Sequence, residues 1–308
     1  QRFPSVRVVS MPGNLGAAAA RNAALAEAGT DLVLLIDNDV ALTPGSLDLL
    51  LAAVRGDERV VAVMPAIIYG GGSTVQYDGA ETHFLGQQTL QHENVPYESL
   101  PRAERSLGSL ISACLLVDRS RLPEGAPGGD RLAAFDEDFF IYFEDHDFGF
   151  RMRAMGLDVR AVPEAFCYHG VGTPGISIRA LGKYSPLRIV CHIRNRWLFI
   201  LKNYSARSLV LLSPVLLLYE LVQFAAILKK GWLGHWMIAA GWVLRHPGTW
   251  YAKRRRVQRG RRVSDGELLH GGPVPLRDEA VASPVERTAK KILDGVTGAY
   301  WQVVRGLL

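Results

Sequence analysis

The sequence is poor in cysteine, and its three cysteines, Cys114, Cys167 and Cys191, lie far apart with no CxxC pair. That excludes a disulfide scaffold and a zinc ribbon, and the three read as buried thiols of a reducing compartment. A collagen-like period, low-complexity tracts and internal repeats are also missing, so the composition is that of an ordinary globular chain. There is no methionine start and no signal peptide; Gln1-Arg2-Phe3-Pro4 reads as a cut end.

What the sequence does have is an alternation of short apolar runs and amphipathic stretches. Val6 to Ser10 is β-branched and suited to a buried strand, Ala17 to Ala28 is alanine-dense and helix-forming, and Asp31 to Ile36 is an apolar strand. Strand, helix, strand in this spacing predicts a βαβ unit and hence parallel pairing. Ser46 to Arg55 reads as a helix, Val60 to Ile68 and Leu110 to Asp118 as strands, His146 to Met155 as a helix, and Val159 to Val162 as a strand. Residues 70–107, rich in Gly, Gln and Pro, read as an irregular, mobile loop region. The pattern predicts an α/β domain.

After Asn203 the character changes. Leu209 to Leu228 is almost continuously apolar, interrupted by Ser213, Pro214, Glu220 and Gln223, and flanked by basic residues. Trp232 to Leu244 is apolar with three tryptophans, a residue that favours membrane interfaces. The basic run Lys253-Arg254-Arg255-Arg256, with Arg259, Arg261 and Arg262, follows, whereas carboxylates concentrate between 130 and 147. Together these features predict helices lying in or dipping into an anionic membrane face, with a buried helical hairpin against the catalytic domain as the alternative, rather than a nucleic-acid surface, which pairs charge with aromatic platforms. Ile292, Val296, Ala299, Tyr300, Val303 and Leu307 recur at helical spacing and predict one more amphipathic helix. The expected organisation is a catalytic domain over 1–205, membrane-associated helices over 206–262, and a linker and amphipathic helix over 263–308.

Two places carry chemistry. Asp37 and Asp39 follow the Asp31–Ile36 run two residues apart, so in an extended backbone both carboxylates face one volume at the carboxyl end of a strand. Two hard oxygen ligands suit Mg²⁺ or Mn²⁺, although the tripeptide alone also fits a polar strand-end turn. The stretch Phe135 to Asp147 interleaves acids with aromatics. Acids in a first helical turn are favoured by the helix dipole, but burial among aromatic rings would raise a carboxylate's pKa and make it a candidate general base. His169 is a candidate third metal ligand or an ordinary polar histidine.

Taken in order, Asn14-Leu15-Gly16, Arg21-Asn22, Asp37-Asn38-Asp39, Phe135-Asp136-Glu137, Phe139-Phe140, Glu144-Asp145, Arg151, Gly156, His169 and Arg194-Asn195 resemble bacterial family-2 glycosyltransferases of the GT-A fold, over roughly residues 5–205. Among these the set is most similar to rhamnosyltransferases of cell-envelope assembly. The resemblance implies a GT-A, Rossmann-like mixed and mainly parallel sheet flanked by helices. It implies an inverting transfer from a nucleotide-sugar donor to a polyprenyl-linked or polysaccharide acceptor at the cytoplasmic face of the bacterial plasma membrane. By the same resemblance Asp39, Asp37 and His169 hold a divalent metal, Asp145 is the base and Glu144 its neighbour. Asn14, Gly16, Arg21, Asn22 and Asp37 approach the donor nucleotide, Arg194 and Asn195 the diphosphate or a lipid-linked acceptor, and the Gly108-Ser109 region lines the sugar site. The family's first strand is expected to be missing ahead of Asn14. A nucleotidyltransferase would need a glycine- and lysine-rich phosphate loop that the sequence lacks; an inactive membrane scaffold of the same fold is the other alternative.

Overall fold

The computed structural model describes residues 5–123, 134–170, 185–276 and 283–308. Helix α1 (Gly16–Glu27) buries Ala18, Ala19, Asn22 and Leu25 and leads to β1 (Leu32–Ile36) and the short β2 (Val40–Leu42). Then come α2 (Ser46–Gly56) and β3 (Val60–Tyr69), whose first nine residues are all buried, as a central strand covered on both faces requires. Strands β4 (Val75–Tyr77), β5 (Ala80–His83), β6 (Gln87–Leu90), β7 (Arg105–Ser106) and β8 (Cys114–Asp118) precede α3 (Glu144–Ala154) and β9 (Asp158–His169). The remainder is α4 (Pro186–Asn203), α5 (Ala206–Lys229), α6 (Leu233–Arg245), α7 (Pro247–Gly260), α8 (Asp265–Leu268), β10 (Leu269–His270) and α9 (Pro284–Val304).

The main sheet runs β1-β8-β3-β9-β2, with β4 beside β3 and β7 beside β9. It is mixed, and its parallel pairing is confined to β3 and β9; β1–β8, β3–β8 and β2–β9 are antiparallel. The βαβ unit expected at the start does not form among the described residues. Val6 to Ser10 joins no ladder, and Val6 and Val8 are exposed. A β-branched run becomes a strand only where a neighbour pairs with it, and β1 pairs on one side alone, with β8.

Residues 70–107 are not an irregular loop. β5 and β6 form an antiparallel hairpin that β10 joins in parallel register. Buried Asp78 ties the region together through Arg105 at 2.6 Å and His92 at 2.9 Å. Order here comes from polar pairing together with buried Val75, Tyr77, Phe84, Leu85 and Leu100, which are too widely spaced for hydrophobic periodicity to register. β9 is also longer than the predicted Val159–Val162, because its pairing with β3 resumes after a register shift between Pro65 and Ala66 and carries on to His169.

One core lies between the main sheet and helices α1 and α3, with Leu25, Met64, Phe148 and Met152 among its members. A second joins Phe84, Phe150 and Phe199 to Leu212, Tyr219, Leu293 and Trp301. The boundaries drawn at 205 and 262 therefore do not coincide with a gap in packing.

Candidate active site

The carboxyl end of β1 delivers Asp37 and Asp39, and the β2–β9 ladder brings His169 to them. Val40 is registered opposite His169, so the residue before it meets the imidazole: Nε2 of His169 is 3.3 Å from Oδ1 of Asp39. One ligand atom each from Asp37, Asp39 and His169 lies within 4.8 Å of the other two. Gln76 on β4 orients the ring, its Oε1 lying 3.0 Å from Nδ1 of His169. With the hydrogen on Nδ1, Nε2 keeps its lone pair toward the carboxylates, the tautomer a metal ligand needs. Two carboxylates and one imidazole in a half-buried pocket fit Mn²⁺ or Mg²⁺. Burial pushes the Asp37 carboxyl up, against the pull of Arg21 and His169.

Arg21, on the inner face of α1, connects this group to a second pair of acids. Its Nη2 donates to Asp37 Oδ1 at 3.1 Å and its Nη1 to Glu144 Oε1 at 2.7 Å. Glu144 and Asp145 open α3. Glu144 is buried, and burial together with the adjacent Asp145 pushes it up to about 7, against the pull of Arg21. Asp145 is half-buried; it accepts from the backbone N–H of Ser112 at 3.2 Å and of His146 at 2.7 Å. Burial raises its pKa too. Two adjacent carboxylates in low dielectric beside one guanidinium favour retention of a proton by the pair near neutral pH. Glu144 Oε2 and Ser112 Oγ are buried without a hydrogen-bond partner among the described residues, which leaves polar atoms at the site for a ligand to satisfy.

The turn that presents these acids is backbone-strained and heavily braced. Phe140, Tyr142 and Phe143 all have positive φ, a conformation that costs energy for aromatic residues and needs support. Asn195, on α4, supplies it by donating to the carbonyls of Phe139, Ile141 and Tyr142 at 2.7–2.9 Å. Arg194 donates to the carbonyls of Asp138 and Phe139 and lies over the Trp242 ring. Gly16 completes the bracing from α1. Its φ is +86°, and a Cβ there would collide with the Phe140 carbonyl.

Three of the remaining acids of the Phe135–Asp147 stretch, Asp136, Asp138 and Asp147, are neutralised, while Glu137 accepts from Asn22 Nδ2 at 2.9 Å. Lys202 pairs with Asp136 at 2.5 Å and Asp147 at 2.7 Å, Arg151 with Asp147 at 2.7 Å, and Lys253 with Asp136 and Asp138. These acids fasten α3, α4 and α7 together. They do not supply a base. Lys253, Arg254 and Arg261 of the basic run thus turn inward, the last two donating to carbonyls at the end of α4, where the helix dipole favours cations. Arg255, Arg259 and Arg262 stay exposed.

Several residues expected to contact the donor or acceptor also make contacts within the protein. Both ends of the Asn22 amide are engaged by the turn: Nδ2 donates to the Phe135 carbonyl and Glu137, and Oδ1 accepts from the Phe135 N–H. Arg194 and Asn195, expected near the diphosphate or acceptor, donate to carbonyls of the 138–142 turn that leads to Glu144-Asp145. Asn14 is exposed, its Oδ1 accepting from the Gly16 N–H at 3.1 Å, and Arg21 faces the acids. Ser109, buried, lies 2.7 Å from His146 Nδ1. Gln76 and Ser112 were not visible from the sequence, since each acts through one hydrogen bond across the fold.

Residues 1–111 match the family model described as glycosyl transferase family 2. Two relatives, both N-acetylglucosaminyl-diphospho-decaprenol L-rhamnosyltransferases of Mycobacterium tuberculosis (strains CDC 1551 / Oshkosh and ATCC 25618 / H37Rv), are 29% identical over 228 residues, 67% of this chain and 70% of theirs. A solved structure of GalNAc-T7 with UDP, GalNAc and Mn2+ is similar at a TM-score of 0.44 and 13% identity, over 62% of this chain. The match spans 35% of the GalNAc-T7 chain. The chain carries a glycosyl transferase family 2 domain and is a glycosyltransferase.

Proposed function

We propose that this enzyme moves a sugar, with inversion, from a nucleotide-diphosphate donor to a lipid-linked or polysaccharide acceptor in bacterial cell-envelope assembly. The observation that carries the reading is the single guanidinium of Arg21 joining Asp37 of the Asp37/Asp39/His169 group to Glu144 of the Glu144–Asp145 pair. A site for a departing diphosphate and a site for a base thus share one small volume. Rhamnose as the sugar, and a polyprenyl-diphosphate-linked acceptor, are supported by the activity named for the mycobacterial relatives.

Asp37, Asp39 and His169 would hold the divalent ion, Mg²⁺ or Mn²⁺, which when bound supplies Lewis-acid stabilisation of the charge developing on the diphosphate. Asp145, the more exposed acid of its pair, takes the proton of the acceptor hydroxyl. That oxygen bonds to the anomeric carbon as the carbon–oxygen bond to the diphosphate breaks, and the nucleoside diphosphate leaves. Glu144 and Arg21 position the base, and Glu144 Oε2 and Ser112 Oγ offer hydrogen bonds to sugar hydroxyls. Activity is placed at the cytoplasmic face of the plasma membrane, where nucleotide sugars meet lipid-linked acceptors.

The test is a panel of nucleotide-diphosphate sugars with Mn²⁺ and a polyprenyl-diphosphate-linked acceptor. Asp145→Asn is expected to lose turnover by about 10²–10⁴-fold while still binding donor, the range a positioned general base supplies. Retained turnover in that variant removes Asp145 as the base, and no turnover of any donor by the unaltered chain overturns the reading.

A further inference from the structure

Apart from Tyr300, which packs against the core, the apolar stripe read from the C-terminal sequence does not face it. In α9 the buried residues are Leu293, Thr297, Trp301 and Val304, while Val285, Ile292, Val296 and Val303 are each at least half exposed. α5 repeats the arrangement. It buries Leu212, Val215, Tyr219 and Ile227 and leaves Val210, Leu217, Leu221 and Leu228 at least half exposed. Spacings of three, four or seven residues keep each exposed set on one side of its helix.

Both stripes point away from one shared core. α5 and α9 lie side by side and antiparallel: the Tyr300 hydroxyl donates to the Leu211 carbonyl at 2.6 Å near one end, and Lys229 pairs with Glu286 at 2.5 Å near the other. Leu212, Val215 and Tyr219 from α5 share one core with Leu293, Trp301 and Val304 from α9. With both inner faces sunk in the same core, both outer faces look away from it. Over the 24 residues of α5 the ribbon is about 36 Å long. Basic residues stand around it: Arg207 and Lys229 on α5 with Lys230 just after it, and Lys291 on α9 with Arg305 just after it.

We propose that the outer faces of α5 and α9 together dock the enzyme onto an anionic bilayer, both helices lying along the membrane surface. This deepens the membrane-surface reading above and rests on it. α5 is long and apolar enough to cross a membrane, but its inner face is committed to the protein. Arg196, almost fully buried, pairs with Glu220, and the Tyr219 hydroxyl accepts from Gln87 and Gln223. Drawing α5 into a bilayer would strip these contacts and leave Arg196 uncompensated. An apolar ribbon with a basic rim matches acyl chains and anionic headgroups. A second copy laid on the same ribbon would instead bring two basic rims together. The tryptophans of α6 take no part, since Trp236 packs on Trp197 and Trp242 lies under Arg194.

Flotation of the full chain with vesicles of phosphatidylcholine and phosphatidylglycerol tests this. The unaltered protein is expected to float with anionic vesicles. The triple variant Leu217→Glu, Ile292→Glu, Val296→Glu is expected to lose at least about tenfold in partitioning, with an unchanged melting temperature and unchanged donor binding in solution. Donor binding separates a failure of docking from a failure of the catalytic reading. Cysteines introduced singly at Arg207 and Lys230 should both react with an impermeant maleimide outside sealed vesicles. Failure of the unaltered protein to float, equal flotation of the variant, protection of one helix end only, or a dimer that the variant dissociates would each overturn the proposal.

Discussion

Gln76 offers the sharpest test of the metal group, because its side chain reaches that group through the imidazole of His169. Replacing it by Met keeps the volume of the buried side chain and removes the acceptor 3.0 Å from Nδ1 of His169. The hydrogen bond alone contributes about 0.5–1.5 kcal/mol. Its larger effect is on orientation. Without an acceptor at Nδ1 the hydrogen is no longer held there, the ring can turn, and Nε2 is lost to the Asp37–Asp39 side for part of the time. Loss of such a supporting bond lowers metal affinity by about 10–100-fold, or about 1.4–2.7 kcal/mol. Calorimetric titration with Mn²⁺ should show that loss in Gln76→Met, and the Mn²⁺ concentration giving half-maximal turnover should rise by the same factor. At saturating Mn²⁺, kcat should return to within about twofold of the unaltered value, and Gln76→Glu, which keeps an acceptor, should behave nearly as wild type. Unchanged Mn²⁺ affinity in Gln76→Met would refute the assignment of His169 as a ligand oriented by Gln76. A collapse of kcat that saturating metal does not restore would refute it as well.

Lys202→Met leaves Asp136 and Asp147 short of their shared cation, and removing one partner of a buried pair costs about 3–5 kcal/mol; urea denaturation should show the loss. Glu144 is raised by burial and by Asp145 from 4.5 to about 7, so folding takes up a proton between those values. Its stabilising contribution is complete below about 4.5 and lost as pH rises through 7, on the order of 3 kcal/mol in all. Glu144→Gln should therefore flatten the fall in stability between about pH 5 and 8, measured by denaturant midpoints across that range. Gly16→Ala puts a Cβ against the Phe140 carbonyl at φ +86°. A strained backbone position of this kind costs about 1–3 kcal/mol, and both the melting temperature and turnover should fall as the 138–142 turn shifts.

Much of the site was legible because it is local. Asp37 and Asp39 follow an apolar run directly, and Glu144-Asp145 opens a helix, so short-range spacing reports them. The partnership between the two groups was not legible. Arg21 is 16 residues from Asp37 and 123 from Glu144, and only packing of α1 against the turn brings one guanidinium to both. The acids at Asp136, Asp138 and Asp147 show the opposite failure. Read along the chain they are an unexplained anionic cluster, yet Lys202 and Lys253, 66 and 117 residues beyond Asp136, neutralise them in the fold.

By itself, then, the sequence determined what depends on neighbours along the chain. That covers the apolar strands β1, β3 and β8, of which β3 and β8 are buried and β1 is a half-exposed edge, the alanine-rich α1, the two acidic motifs and the apolar C-terminal helices. Tertiary structure decided which groups meet and which faces stay exposed. Val6 to Ser10 stays outside the ladders, residues 70–107 become a sheet, and Arg194 and Asn195 brace a turn. The stripe Ile292, Val296 and Val303 faces out while Leu293 and Trp301 face in. The reason is the same each time. Periodicity says that a helix has an apolar side, but two candidate sides compete on α9, and only α5 and the β5–β6 hairpin, by occupying one of them, settle which is core.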